Sequence, residues 1–156
     1  MTEASETFHH WKIFADGMDG VCIEFHKDRL ETHLRNAVGV EFGLVEYVKL
    51  DQIAEVELGG ASKLPFIKRA GYRDEKEYRI IYGSEQEIYR YDVPFTPECI
   101  NRIILSPFLP IDLADATKKT LKAIEVCKDK RVIKSHLINS ETWQRRWTRR
   151  LSDKTS

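Results

Sequence analysis

The chain has 156 residues, with 25 Lys or Arg against 25 Asp or Glu, 42% hydrophobic and 10% aromatic side chains. A chain of this length buries roughly 68–70% of its unfolded surface, so it can fold without a disulfide or metal staple, and its composition excludes extensive disorder. No stretch approaches the ~20 apolar residues of a membrane span, the polar start MTEASETFHH lacks a signal-peptide pattern, and Cys22, Cys99 and Cys127 read as reduced thiols of a cytoplasmic protein.

In chain order, Phe8, Trp11 and Ala15 stand at helical spacing, and Gly17 and Gly20 end that helix. In GVCIEFH, Val21, Ile23 and Phe25 alternate against Cys22 and Glu24, which predicts a strand. Residues 27–37 suit a short helix with Leu30 and Leu34 on one face. FGLVEYVKL reads as a second strand and DQIAEVEL as a short helix. EKEYRIIYG predicts a strand, Gly83-Ser84 a turn, and QEIYRYDV the returning strand of a hairpin ended by Pro94 and Pro97. NRIIL is a short buried strand closed by Pro107 and Pro110. Asp112 then caps a helix running to about Val126, with Leu113, Ala116, Leu121 and Ile124 inward. RVIKSHLI is the last strand, and Ser140 caps the final helix, ETWQRRWTRRL.

Hairpin-like neighbours outnumber βαβ units, so the expected class is α+β, a mostly antiparallel sheet with flanking helices and a C-terminal amphipathic helix. No linker divides the chain, which predicts a single domain over 1–156: a core of about 8–138, a basic helix at about 140–151, and disordered last residues.

Net charge is zero but uneven. From Lys128 to Ser156 there are nine Lys or Arg against three Asp or Glu, so the preceding residues carry an equal acidic surplus. Trp143, Trp147 and Leu151 fall at i, i+4 and i+8 of the last helix, with Arg145, Arg146, Arg149 and Arg150 on the remaining surface. Three roles fit this helix: docking on its own domain, docking on a partner, or binding single-stranded nucleic acid by phosphate pairing and base stacking. The stripe shared with Leu151 predicts buried tryptophans, which disfavours stacking.

Within EKEYRIIYG the strand alternation places Tyr78, Ile80 and Tyr82 on a core face. Glu75, Glu77 and Arg79 share the other face, which suits water, an ion pair or a site. Cys22-x-x-x-His26 and His26-x6-His33 lack a second paired half, so no metal site is expected. There is no cysteine nucleophile arrangement and no Walker-type or dinucleotide glycine loop.

Three stretches in order carry a family resemblance: WKIFADGMDGVCIEF, LPFIKRAGYRDEKEYRIIY and INRIILSPFLP. They are similar to the W-x-x-[YF]-A…G-[FV]-C-I-x-F, E-x-E-[WY]-R-[IL]-[IV] (with a preceding Lys) and I-x-x-I-I-L-G-P motifs of the bacterial and phage domain-of-unknown-function family 2971. That resemblance runs from about Trp11 to His136 and implies a setting near defence or mobile-element genes. Members usually carry a further N-terminal half before the Trp motif, and here Trp11 stands only ten residues from Met1. The expectation is that any site parts on that half are absent or come from a partner chain.

An E-x-E at a strand mouth also resembles the Glu motif of NAD-dependent ADP-ribosyltransferases. That resemblance implies Glu77 holding the ribose and the developing oxocarbenium charge, with Glu75 orienting the acceptor. Arg79 would pair with either Glu or contact a phosphate, and Arg79, Trp11 and Tyr78 form the candidate substrate-binding set. No "SFS"-type strand motif accompanies it, and the early basic position could be filled only by His9 or His10 in a rearranged fold. E-x-E-x-R is also common on a solvated strand face. No cofactor is firmly implied, and NAD enters only as a substrate. Three functions stand open: NAD-using transfer, a non-catalytic module binding a protein partner or a second copy, and nucleic-acid binding through the basic helix.

Overall fold

The structure is a computed structural model that describes residues 1–15, 17–56 and 60–152. Its helices are α1 (Phe8–Phe14), α2 (Lys27–Arg35), α3 (Ile111–Ala123) and α4 (Glu141–Ser152). Its strands are β1 (Val21–Phe25), β2 (Val40–Leu44), β3 (Glu46–Val48), β4 (Ile67–Arg69), β5 (Tyr78–Tyr82), β6 (Ile100–Leu105) and β7 (Arg131–Lys134). The class is α+β, as the sequence predicts, but among the described residues the strands form three small sheets instead of one. The two five-residue pairings, β1–β6 and β2–β5, are antiparallel, and the shorter β3–β4 and β6–β7 pairings are parallel. Two compact units interleave along the chain, one from residues 1–5 and 26–99, the other from 6–25 and 100–156. The sequence-predicted disorder after residue 151 concerns mainly residues outside the described ones.

In the unit of residues 6–25 and 100–156, the sheet order is β1-β6-β7. The central strand β6 is covered on both edges, which suits its run of Ile103, Ile104 and Leu105, all buried. The core gathers Ile103, Leu105 and Ala114 with Leu109, Leu121 and Val132. On α1, Trp11 is 3% exposed, and its indole donates to Glu6 Oε1 at 2.7 Å. A Cβ added to Gly20 would stand 2.5 Å from that of Ala15, so only glycine fits where the chain turns from α1 into β1.

α3 differs from expectation. It opens at Ile111 after Pro110 and ends at Ala123, with Ala114 as its buried contact. Leu113, Ala116 and Ile124 are exposed, and only Leu121 of the predicted inward set packs on the core. The small Ala114 side chain, not the larger Leu113, meets the sheet and lets the helix backbone approach it. Ser140 caps α4 as predicted, accepting from Trp143 N at 3.2 Å.

In the unit of residues 1–5 and 26–99, Leu30 and Leu34 of α2 are buried, as their shared face predicts. The predicted strand FGLVEYVKL is broken at buried Val45 into β2 and β3. There Val45 N still donates to Glu77 O at 2.9 Å, while β3 pairs with β4. The predicted 83–84 hairpin does not form: β5 pairs with β2, and residues 86–93 make no strand. Tyr91 instead stacks flat on Tyr82 at 3.6 Å, so that segment docks by a ring where a ladder was expected. Tyr78 N donates to Met1 O at 2.8 Å and Glu3 N to Lys76 O at 2.9 Å, which ties the first residues beside β5.

Candidate functional site

The E-x-E stretch is not one strand. Residues Ala70–Glu75 coil as a 3₁₀ turn, Lys76 takes the left-handed region at φ 43°, and β5 starts only at Tyr78. The expectation that Glu75 shares a strand face with Glu77 is therefore corrected. The reason is local: the reversal at Lys76 ends the turn, while Tyr47 Oη accepts from Glu77 N at 2.8 Å.

The two carboxylates nevertheless meet, on Lys68 of β4. Lys68 Nζ stands 2.6 Å from Glu75 Oε2 and 3.2 Å from Glu77 Oε2. Arg79 grips Glu77 with both of its forks, Nε to Oε1 at 2.7 Å and Nη2 to Oε2 at 3.1 Å. Its Nη1 donates to Pro65 O, so Arg79 also holds the turn before β4. Lys68 further lies over the Tyr72 ring, 4.7 Å from its centre. Glu75 and Glu77 are largely covered, with side chains 13% and 22% exposed.

The Arg79 guanidinium, then the Lys68 ammonium, hold the Glu77 carboxyl down at about 2. Lys68 is correspondingly raised, first by its hydrogen bond to Glu75. Two acids thus face two bases, and the cluster carries no net charge. Neither carboxylate lines the cleft of about 440 Å³ that runs along β2.

Tyr78 is 6% exposed, and its hydroxyl donates to Glu31 Oε1 at 2.8 Å. Burial, then Glu31, pushes that hydroxyl's pKa up. Trp11 belongs to the other unit, where it is buried on Glu6. Lys68, Tyr47 and Thr2, whose hydroxyl donates to Glu75 O, were not among the predicted site residues. Lys68 does stand in the Lys-before-E-x-E motif, the one signal that could have flagged it. Tyr47 and Thr2 carry no such mark, because their pairings span 30 and 73 residues.

On α4 the structure corrects the expected burial of the tryptophan stripe at Trp143, which is 63% exposed. Arg145 and Arg146 are exposed as well, with Arg145 3.7 Å from Glu141. The side chains of Trp147, Arg149, Arg150 and Leu151 lie outside the described residues. Among the described residues no helix is long and apolar enough to cross a membrane, and no three His, Cys, Asp or Glu side chains converge as a metal site would require.

No curated protein and no solved structure matches the chain. A family model does match, over residues 10–80, which include the Trp11 and Glu75-x-Glu77 motifs but not the third motif at 100–110. Over that stretch the chain is similar to the family described as "Protein of unknown function (DUF2971)", the family its motifs resemble.

Proposed function

We infer that this chain works as a non-catalytic interaction domain rather than as an ADP-ribosyl transferase on its own. The observation that carries this reading is the full pairing of Glu77 by Arg79 and Lys68. A carboxylate that stabilises an oxocarbenium ion acts through uncompensated negative charge beside the ribose. Here that charge is spent on two protein cations, and neither Glu75 nor Glu77 lines the cleft along β2. The cluster's evident work is to join β3, β4, the 70–75 turn and β5. Incubation of the purified chain with NAD should release no nicotinamide above buffer, for the wild type and for Glu77→Gln alike. Release by the wild type that Glu77→Gln abolishes would overturn this reading in favour of transfer.

A second reading, nucleic-acid binding, is favoured by exposed Trp143 beside exposed Arg145 and Arg146. It requires single-stranded RNA or DNA affinity that falls with salt and disappears on deletion of residues 140–156. Salt-independent binding, or binding that survives the deletion, eliminates it.

A further inference from the structure

We propose that the free edge of β2 receives an extended, basic segment of a partner protein as an added strand. Each residue of β2, Val40 to Leu44, lines the cleft of about 440 Å³, and no residue of β5 does, so the cleft follows the edge away from β5. Alternation along the strand gives the reason that edge is unsatisfied. Gly83 N donates to Gly39 O and Val45 N to Glu77 O, so odd-numbered residues face β5 with their amides. The amides of Phe42 and Leu44 therefore point outward, into the cleft.

Among the described residues no strand of the same unit covers this edge, and the reason follows from the register of β3 and β4. Glu46 pairs with Ile67 in a parallel ladder. Continued backwards, that ladder would set Leu44 opposite Pro65 and Phe42 opposite Lys63. Pro65 has no N–H to donate, and residues Ala61–Phe66 coil as a 3₁₀ helix instead of extending. Arg79 holds Pro65 in that coil through its carbonyl. The coil leaves the cleft beside β2, with Phe66 in its wall.

Charge selects the occupant. Glu41 and Glu46 line the cleft against the single base Lys63, and neither acid has an ion pair among the described residues. An extended segment with a Lys or Arg flanked by alternating apolar residues satisfies both the backbone edge and the surplus carboxylate. This deepens the interaction-domain reading by naming a surface and rests on it for the existence of a partner.

The test is an amide-resolved NMR titration of the full chain with the heptapeptide Val-Thr-Val-Lys-Val-Thr-Val, capped at both ends. Saturable shifts centred on the Phe42 and Leu44 amides are expected. The same peptide with Glu at its centre should bind about fivefold more weakly or less. A peptide N-methylated at alternate residues should not bind, having lost the donors of one edge. Leu44→Pro removes an outward donor only and should abolish binding while the circular dichroism spectrum stays unchanged. If that variant does not fold, the double variant Glu41→Gln, Glu46→Gln should make the Lys and Glu peptides bind equally. No shift at millimolar peptide, or equal binding of the N-methylated peptide, overturns the proposal. Shifts at β2 that follow protein concentration without peptide overturn it in favour of a second copy. A negative titration leaves the nicotinamide assay unaffected, so the two readings fail separately.

Discussion

At neutral pH Glu77 is held on both oxygens, by Arg79 at 2.7 Å and Lys68 at 3.2 Å, and its position depends on its charge. Its folded pKa of about 2 lies below the ordinary carboxylate value of 4.5. The stability it contributes is therefore fully present above the ordinary value and is lost as pH falls from there through the folded one. Glu77→Gln should cost roughly 1–2 kcal/mol near neutral pH, less than the full depression implies because solvent reaches the pair. Urea unfolding should show the variant and wild type converging as the pH approaches about 2. The neighbouring Lys76 makes the opposite prediction. A side chain at φ 43° is strained by about 1 kcal/mol, so Lys76→Gly should be neutral or stabilise by up to that amount. An increased urea midpoint checks it; a decreased one would show that the Lys76 side chain contributes more than its backbone costs.

At the scale of elements, the turn between α1 and β1 leaves no room for a methyl group at position 20. Gly20→Ala should destabilise by about 1–3 kcal/mol, read as a lower melting temperature. Ser140→Ala removes the cap from α4 and should lose about 1 kcal/mol of helix, visible in far-ultraviolet circular dichroism. The elements legible in the sequence are those whose own residues carry a local pattern: helical spacing in α1 and α2, alternation in β1, an apolar run in β6 and a cap on α4. The Leu30 and Leu34 spacing, and the apolar run of Ile103 to Leu105, are read directly from neighbours. QEIYRYDV shows why others fail. It has strand composition and alternation, yet β5 pairs with β2, 42 residues upstream at Val40↔Tyr82, and residues 86–93 form no ladder. Composition records what a segment tolerates; it does not record which edge is taken. The candidate site was legible to the same extent. Glu75, Glu77 and Arg79 stood out as charges next to a core face, but the residue that joins them sits on β4, a three-residue strand too short to give a period.

At the scale of the molecule, residues 1–5 complete a unit whose remainder begins only at residue 26. Met1 and Glu3 bond the backbone of Tyr78 and Lys76, and the Glu3 carboxylate pairs with Lys27. Deleting residues 1–5 should therefore destabilise that unit by roughly 2–4 kcal/mol, at about 1 kcal/mol for each lost hydrogen bond. Hydrogen exchange checks this at one atom, since the Tyr78 amide should lose its protection first. An unchanged Tyr78 amide would mean that the N-terminal segment is not bound there in solution.

The interleaving of the two units also sets a schedule for synthesis. Val21 pairs with Leu105, so β1 leaves the ribosome long before the strand that completes its ladder exists. The unit of residues 1–5 and 26–99 is complete once residue 99 is made, but the other unit is not, and the nascent chain must carry β1 unpaired while the whole of residues 26–99 is made. The exposed apolar side chains of Val21 and Ile23 spend that interval on an open strand. Slow translation through residues 26–99 should then favour aggregation over folding, a liability that a contiguous arrangement of the same strands would not have.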